Sequence, residues 1–241
     1  MPELLQHTEA PSRNDAWLMF DRIAHRYDRL NHWLSFCQDV IWRKRMARYL
    51  PDQDGLRVLD LATGTADQLL YLVGDKRVAS GVGMDLAGNM LAIGREKIAR
   101  RGLEHKLRLS IGDTVSIPEE DDRVDVVTIS FGIRNVFAVT EALTEMRRVL
   151  KPGGRALILE FSVPVNDTLR RIYFCYFRHI LPRIGRVISG DPHAYRYLNE
   201  TVEIFPCGEA FCSLMREAGF RNVRANPFTF GIVTIYQGDK E

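Results

Sequence analysis

The sequence predicts an α/β fold of the Rossmann-like class, a mostly parallel seven-stranded sheet that ends in a C-terminal antiparallel hairpin, and three observations predict it. From Gly55 to Glu160, short runs rich in β-branched residues alternate with longer amphipathic stretches, which is typical of stacked β-α units. A tight turn of small residues follows the first run. Two apolar runs, 221–228 and 231–237, are too close for a parallel crossover and therefore form a hairpin.

The same pattern gives the order of the other elements. A helical segment rich in aromatic and arginine residues is expected over 16–50. Lys151-Pro152-Gly153-Gly154 indicates a helix end and a turn before the fifth strand. The parallel strands are expected near 57–61, 81–85, 107–111, 124–130 and 155–161, and the helices over 66–74, 88–101, 138–150 and 207–218.

Length and composition favour one globular domain in a reducing compartment. The 241 residues suffice for one substantial domain and are few for two. A net charge of +2, with no block of Lys or Arg, argues against a nucleic-acid-binding protein. The four cysteines have no Cys-x-x-Cys spacing, so free thiols are expected rather than disulfides or a metal site. No signal core or run of transmembrane length is present, which predicts a cytoplasmic protein.

We expect a single domain over 1–241, because no linker composition marks a boundary. Its parts are expected to be a helical N-terminal cap (16–50), a cofactor-binding core (55–163), an insertion that caps the substrate (164–200), and the last helix with the hairpin (201–241).

The turn after the first strand indicates the ligand. Val58 to Asp67 runs from the strand through Gly64 into a helix, and the next apolar run ends in Asp85, where an acid can hold the hydroxyls of a ribose. The turn lacks the glycines of G-x-G-x-x-G, so it offers few backbone amides to a pyrophosphate. A ligand with adenosine and no phosphate fits this turn, and S-adenosylmethionine is therefore the predicted cofactor.

Polar residues stand at the ends of four successive strands, where ligands of open α/β sheets bind. Each residue is also a common helix cap or turn former, so the argument depends on all four strand ends together. The predicted contacts are Asp60, Thr63, Gly64 and Thr65 around the methionine and sulfonium end, Asp85 on the ribose, Asp113 and Thr114 on the adenine, and Ser130 beneath the transferred methyl group.

Three further stretches narrow the assignment. They are Tyr27-Asp28-Arg29-Leu30-Asn31-His32-Trp33-Leu34-Ser35 with Trp42 seven residues on, the stretch from Arg148 to Ser162, and Ser130-Phe131-Gly132-Ile133-Arg134-Asn135. Together they resemble the signature motifs of the ubiquinone/menaquinone biosynthesis C-methyltransferases, and the resemblance spans Phe20 to Tyr236. Lys-Pro-Gly-Gly alone is common among methyltransferases, whereas the Tyr-Asp…Asn…Ser…Trp stretch is far more specific.

The resemblance implies a class I S-adenosylmethionine-dependent methyltransferase fold and cofactor contacts at Thr65, Asp85, Asp113 with Thr114, and Ser130. It also implies methylation of a ring carbon on a polyprenylated quinol. Asp39 stands where one common signature has His, which favours the menaquinone-making members. The leading prediction is therefore conversion of demethylmenaquinol to menaquinol. The alternative is 2-methoxy-6-polyprenyl-1,4-benzoquinol methylation in ubiquinone biosynthesis.

Such a reaction needs a base, because a quinol ring carbon becomes nucleophilic when an adjacent hydroxyl loses its proton. The candidate catalytic residues are Arg134, Asn135, Asp28 and His32, and the candidate substrate contacts are Tyr27, Asn31, His193, Tyr195 and Tyr197. Arginine stays protonated at neutral pH, so Arg134 is expected to stabilise a quinolate or hold a water. Surface ion pairs for Asp28 and core packing for the tyrosines are the structural alternatives.

Residues 169–188 mix aromatic and aliphatic residues with arginines, as a cap helix beside an isoprenoid channel would. Transient contact with the membrane surface, at the inner face of the plasma membrane, and a homodimer are further hypotheses. Liposome co-sedimentation without binding would remove the membrane hypothesis.

Two other function classes stay open from the residues alone. An NAD-dependent oxidoreductase is disfavoured by the missing G-x-G-x-x-G and by the lack of a convincing Tyr-x-x-x-Lys couple. A non-catalytic S-adenosylmethionine-binding module would retain the same cofactor residues and differ only in turnover.

Overall fold

The computed structural model describes residues 16–176, 178 and 201–241, and its centre is one sheet. The strands are β1 (Leu56–Leu61), β2 (Val78–Asp85), β3 (Leu107–Ile111), β4 (Val124–Ser130), β5 (Leu150–Phe161), β6 (Arg221–Phe228) and β7 (Val233–Asp239). They form a seven-stranded sheet in the order β3-β2-β1-β4-β5-β7-β6.

The strand directions confirm the predicted sheet. All neighbouring pairs from β3 across to β5 are parallel, and β7 runs antiparallel to both β5 and β6. From β1 the chain extends the sheet first towards β2 and β3, and later on the other side through β4. The order therefore reverses at β1, and a ligand crevice is expected beyond the carboxyl ends of β1 and β4.

Seven α-helices with both ends in the described residues accompany the sheet. They are α1 (Ala16–Leu34), α2 (Gln38–Met46), α3 (Asp67–Leu72), α4 (Gly88–Arg100), α5 (Val139–Val149), α6 (Asp167–Cys175) and α7 (Glu209–Glu217). The helical segment expected over 16–50 is divided at Phe36 and Cys37, whose φ angles of 51° and 59° are left-handed and end α1.

Successive side chains along a strand pack on opposite faces of the sheet. Val127 belongs to the core that contains Met146 of α5. The adjacent Val126 belongs to the other core, with Leu69 of α3 and Met46 of α2. Because both faces are covered, the central strand β4 is buried along its whole length, as parallel strands usually are.

The start of β5 differs from its prediction. The strand begins at Leu150 instead of 155, and the Lys-Pro-Gly-Gly stretch lies inside it as an irregularity in the pairing with β4. The amide of Gly153 donates to the carbonyl of Lys240 at 2.7 Å, and the amide of Lys240 donates to the carbonyl of Gly154 at 2.9 Å. These bonds to the end of the chain keep the Lys-Pro-Gly-Gly stretch in the strand, although the local sequence predicts a turn there.

Helix α1 packs against α4 beside the carboxyl edge of the sheet. The Asp21 carboxylate accepts hydrogen bonds from the backbone amide of Asn89 at 2.7 Å and from its side-chain amide at 2.8 Å. Ala24 packs on Ala87 and Met90. An acid near the first turn of α4 is electrostatically favourable, so this contact holds α1 in place. The division of the chain into caps and core stays a prediction, and residues 179–200 lie outside the described residues.

Candidate active site

Two cavities meet at the carboxyl edge of the sheet. The polar cavity has a volume of about 260 Å³ and lies beyond the ends of β1 to β4. The apolar cavity has a volume of about 400 Å³ and lies among α1, α2 and α6. Phe20, Tyr27 and Phe131 line both cavities, so these three side chains form a partition between them.

Asp85 lines the polar cavity at the end of β2. Its Oδ2 accepts a hydrogen bond from the amide of Gly64 at 2.8 Å, and its Oδ1 accepts one from the amide of Ala87 at 2.9 Å. Burial raises the pKa of this carboxyl, and the backbone amides partly offset that effect. A carboxylate has about four acceptor positions, so Asp85 retains acceptor capacity for a ribose hydroxyl.

The ends of β3 and β4 contribute further polar groups. Asp113 and Thr114 line the cavity, and Asp113 Oδ1 accepts a hydrogen bond from the amide of Val115 at 3.1 Å. Ser130 also lines the cavity, and its hydroxyl donates to Oε1 of Gln68 at 3.0 Å. The structure thus brings together Gly64, Asp85, Asp113, Thr114 and Ser130, five of the predicted cofactor contacts.

The charge of the polar cavity fits a cationic ligand. Asp85 and Asp113 are its carboxylates, and the described lining contains no Lys, Arg or His. Asn135 also lines it, and its Oδ1 is buried without a hydrogen bond from any described residue. Such an acceptor matches an ammonium or hydroxyl donor, whereas a pyrophosphate would meet two negative charges. The residues therefore fit S-adenosylmethionine, which carries a sulfonium and an amino group.

Asp60 lies behind the polar cavity and not in its lining. The side chain is 1% exposed, and it accepts hydrogen bonds from the hydroxyls of Thr63 at 2.6 Å and Thr128 at 2.5 Å. Asp60 pairs in register with Thr128 of β4, which explains why the carboxylate points along the sheet. Asp60 and Thr63 thus support the turn from within the core, so we do not propose them as direct ligand contacts.

The change in the free energy of unfolding on replacing Asp60 with Asn is expected to be more favourable at pH 8 than at pH 5. Burial raises the pKa of Asp60 to about 6, although the two threonine hydroxyls lower it. An unfolded Asp titrates near ~4, so the folded protein binds more protons between about pH 4 and 6, and its stability falls as pH rises through that window. The Asn variant lacks this loss, and its free energy of unfolding relative to the parent protein should improve by about 1 kcal/mol between these pH values.

Urea unfolding at both pH values measures this difference. Asp113→Asn at the same edge of the sheet is the control variant. An Asp60→Asn effect that is equal at pH 5 and pH 8 would contradict the prediction.

Asp28 is held in an ion-pair cluster. The Lys97 ammonium lies 2.6 Å from a carboxylate oxygen of Asp28 and 2.6 Å from one of Asp67. The hydroxyl of Thr65 donates to Asp28 at 2.6 Å and accepts from Lys97 at 2.9 Å. Neither Asp28 nor Thr65 is among the described residues that line a cavity. The cluster ties α1 to the cofactor turn, so we no longer propose Asp28 as a base or the Thr65 hydroxyl as a ligand contact.

Arg134 lines the apolar cavity from the turn after β4 and is only 4% exposed. Its Nη1 donates to the carbonyl of Phe131 at 2.6 Å and to Oε1 of Glu160 at 2.8 Å. Its Nε is buried and makes no hydrogen bond to any described residue. The guanidinium is therefore fixed by Glu160 and retains a donor, which suits it to an anionic oxygen. The sequence reasoning missed Glu160, although the motif from Arg148 to Ser162 contains it.

Tyr27 and Asn31 lie together on α1 at the apolar cavity. Burial raises the pKa of the Tyr27 phenol, and Arg43, the side-chain hydrogen bond with Asn31 and Arg134 counteract this. Two predicted substrate contacts therefore reach the same cavity as Arg134. His193, Tyr195 and Tyr197 lie outside the described residues.

His32 does not line either cavity in the described structure. Its Nδ1 lies 2.8 Å from Oδ2 of Asp39, and Asp39 does line the apolar cavity. The sequence singled out Asp39 only as a departure from a motif. Its contact with His32 depends on the break between α1 and α2, which local periodicity does not reveal.

Aromatic side chains form the wall between the apolar cavity and the sheet. The ring centroids of Phe131 and Phe161 are 4.7 Å apart, and those of Phe131 and Trp42 are 6.1 Å apart. The Trp42 indole donates to the hydroxyl of Thr229 at 2.8 Å, which fixes its ring. Such a wall suits a flat ring. The sequence reasoning did not assign these rings, although Phe131 follows Ser130 in the third motif.

The described helices include none with the length and hydropathy needed to span a bilayer. Membrane contact, the homodimer and the cellular location stay predictions.

Comparison with known proteins points in the same direction. The family model for the ubiE/COQ5 methyltransferase family matches residues 12–240. The ubiquinone/menaquinone biosynthesis C-methyltransferase UbiE of Syntrophotalea carbinolica is 47% identical over 220 residues, which cover 91% of this chain and 92% of that protein. The demethylmenaquinone methyltransferase of Thermus thermophilus is 46% identical over 222 residues, which cover 92% of this chain and 100% of that protein.

Solved structures confirm the fold. A SAM-dependent methyltransferase of Thermotoga maritima superposes with a TM-score of 0.66 at 18% identity, covering 94% of this chain and 100% of that one. At this identity the likeness concerns the fold alone.

Proposed function

Because the chain belongs to the ubiE/COQ5 methyltransferase family, we propose that it transfers a methyl group from S-adenosylmethionine to a ring carbon of a polyprenylated quinol. The main substrate is demethylmenaquinol, in keeping with the relatives named demethylmenaquinone methyltransferase. The benzoquinol of ubiquinone biosynthesis is the second candidate, because other relatives carry both pathways in their name.

The partition between the two cavities carries this proposal. A methyl donor in the polar cavity and a flat apolar ring in the other would meet at Phe20, Tyr27 and Phe131. Methyl transfer is an in-line displacement, so its rate depends on holding the two reactants in contact and aligned. A binding module would need only the polar cavity. The apolar cavity beside it is the feature that favours an enzyme.

The chain binds and orients the methyl donor through the ends of its strands. When bound, S-adenosylmethionine supplies a methyl group that its sulfonium already activates. The Asp85 carboxylate would accept hydrogen bonds from the ribose diol, and Asp113 with Thr114 would contact the adenine. An ionised Asp113 accepts hydrogen bonds and cannot donate them, so the exocyclic amine is the adenine group it would recognise.

Arg134 and Asn135 act on the ring that receives the methyl group. Loss of a hydroxyl proton gives a quinolate, and the unused Nε of Arg134 would donate to its oxygen. The rigid Arg134–Glu160 pair would hold this donor in place before the reaction, which lowers the reorganisation needed in the transition state. Asn135 lies on the donor side of the partition and would orient the same region.

The apolar cavity excludes water from the reacting ring. Its lining reaches the surface at Phe36 and Phe230, which are 74% and 78% exposed. We propose that the isoprenoid tail leaves the cavity past these two rings. Apolar groups exposed at a cavity mouth are expected where a ligand also carries an apolar chain.

A strain that lacks this protein is expected to accumulate demethylmenaquinone at the expense of menaquinone. Mass spectrometry of extracted quinones measures the ratio, and complementation with the parent gene should restore it. Complementation with the Asp85→Asn variant is the matched control, because it weakens the methyl donor site and leaves the apolar cavity intact. Unchanged quinones in the deletion strain would contradict the proposed function.

Purified protein separates the remaining alternatives. Turnover of reduced demethylmenaquinone distinguishes an enzyme from a binding module, and competition with the benzoquinol ranks the two substrates. Calorimetry with S-adenosylmethionine and with NAD tests the oxidoreductase alternative, for which NAD alone should bind.

A further inference from the structure

Asp39 is the one carboxylate among the described residues that line the apolar cavity, and that lining includes no His or Lys. The residue is 5% exposed. A carboxylate in such surroundings is costly unless it is hydrogen-bonded, and such groups concentrate at functional sites. The lining otherwise offers two arginines, Arg43 and Arg134, which do not accept protons at neutral pH.

A hydrogen-bonded path leads from Asp39 towards solvent. Its Oδ2 lies 2.8 Å from Nδ1 of His32, and its Oδ1 accepts a hydrogen bond from the hydroxyl of Ser35 at 2.7 Å. The His32 side chain is 33% exposed, whereas that of Asp39 is 7% exposed. One end of the pair therefore faces the cavity and the other end reaches water.

Asp39 also lies close to the partition. Trp42 and Arg43 follow it by three and four residues on α2, so the three side chains share one face of the helix. The Trp42 ring lies 6.1 Å from that of Phe131, and the Arg43 guanidinium lies 5.2 Å above the Phe131 ring. A quinol ring held against Phe131 would therefore have a hydroxyl on the side of Asp39.

We propose that Asp39 accepts the hydroxyl proton of the quinol and passes a proton through His32 to water. This inference rests on the proposed function. The quinol O–H bond breaks as an Asp39 O–H bond forms. The 2.8 Å contact with the Asp39 carboxylate requires a proton on Nδ1 of His32. As Asp39 takes up the quinol proton, the imidazolium releases its Nε2 proton to water, and Asp39 returns a proton to Nε2 through water before the next turnover. Across the whole reaction a ring-carbon–methyl bond replaces the sulfur–methyl bond, and sulfur keeps the electron pair. The hydrogen on the methylated ring carbon then leaves as a proton while the ring oxygen regains one, so the aromatic quinol re-forms and one proton is released in total.

The opposite charges of Arg134 and Asp39 give these two residues different roles in the cavity. Arg134 stabilises the anionic oxygen, and Asp39 with His32 removes the proton that creates it. Other charged or titratable described groups also surround the pair. Tyr71 of α3 interacts electrostatically with Asp39. The cavity lining contains Tyr27 of α1, Arg43 of α2, Arg134, Tyr173 of α6 and Tyr176 after α6.

A purely structural role would give a different pattern. The hydroxyl of Ser35 accepts from the Asp39 amide at 3.3 Å and donates to its carboxylate, so Ser35 and Asp39 also brace the break between α1 and α2. If bracing were the whole function, removing Ser35 and neutralising Asp39 would have similar effects on activity and on melting temperature.

Asp39→Asn is the direct test. We expect kcat for reduced demethylmenaquinone to fall by about 10²- to 10⁴-fold, the usual effect of losing a general base. The Kd for S-adenosylmethionine should stay within about threefold, because Asp39 does not face the polar cavity. If Asp39 accepts the proton, kcat of the parent protein decreases at acidic pH, and this decrease should be absent from the variant. Ser35→Ala is the matched control, and its kcat should fall by less than about tenfold because the Asp39–His32 pair remains.

His32→Ala gives an independent readout if Asp39→Asn folds poorly. The exposed position of His32 admits small molecules, so added imidazole should raise the kcat of this variant at least about tenfold. The relay is overturned if Asp39→Asn keeps its kcat and pH profile, if Ser35→Ala is equally impaired, or if imidazole restores nothing. Absence of turnover in the parent protein would instead overturn the proposed function.

Discussion

Replacing Arg134 with Met together with Glu160 with Gln is expected to lower kcat by about 10²- to 10³-fold, the loss typical for one preorganised donor to a developing oxyanion. The Arg134 guanidinium is buried, anchored by Glu160 and Phe131, and left with a free Nε at the apolar cavity. Because its contribution arises only as the quinolate forms, the KM for the quinol should change much less than kcat.

The paired substitution avoids a folding artefact. Removing Arg134 alone would leave the Glu160 carboxylate, which is 1% exposed, without its counter-ion, at a cost of about 3–5 kcal/mol. Replacing Arg155 with Met and Asp239 with Asn removes a more exposed ion pair that lines neither cavity in the described structure. That control should keep its kcat. Equal activity of the two double variants would exclude the proposed role of Arg134.

Replacing Asp85 with Ala is expected to weaken S-adenosylmethionine binding by at least about 100-fold. Two hydrogen bonds to a charged acceptor contribute roughly 1.5–3 kcal/mol each, and both would be lost with the carboxylate. The amides of Gly64 and Ala87 would also lose their acceptor, which loosens the turn. Isothermal calorimetry measures the affinity, and circular dichroism checks that the variant is folded.

Asp113→Asn is the matched control for this second prediction. The amide oxygen of Asn can still accept from Val115, and its NH₂ group adds a donor that an adenine ring nitrogen can accept. Its affinity should therefore lie within about fivefold of the parent value, since a neutral hydrogen bond contributes about 1 kcal/mol. A loss at Asp113→Asn as large as that at Asp85→Ala would show that the ribose contact does not dominate binding.

Much of the fold could be predicted because it depends on short-range patterns. β-Branched runs, the turn after β1 and the closely spaced C-terminal runs each restrict the chain within a dozen or so residues. The four strand ends follow from the same pattern. The cavity lining includes residues from all four, and those from β2, β3 and β4 include polar side chains. The observed start of β5 differs from the predicted one because its hydrogen-bond partner lies at the end of the chain. Gly153 and Gly154 bond with Lys240.

The sequence did not reveal which of the acidic side chains face the cavity. Asp60 and Asp85 both end strands, yet Asp60 meets Thr128 in the neighbouring strand and Asp85 faces the cavity. For Asp28 the sequence left a catalytic role and a surface ion pair open. In the structure its partners are Lys97 and Thr65, and Thr65 lies 37 residues away. These outcomes depend on register and on the packing of α1 against the sheet, which no local pattern encodes.

The sequence by itself determined the sheet, the phosphate-free cofactor turn and the family, because periodicity, turn chemistry and motif spacing are properties of neighbouring residues. Only the tertiary structure decided which polar groups face the reacting ring. It joined Arg134 to Glu160 across 26 residues and bent the chain so that His32 reaches Asp39. The physical reason is that a buried charge needs a partner, and the partner is supplied by whichever element packs against it.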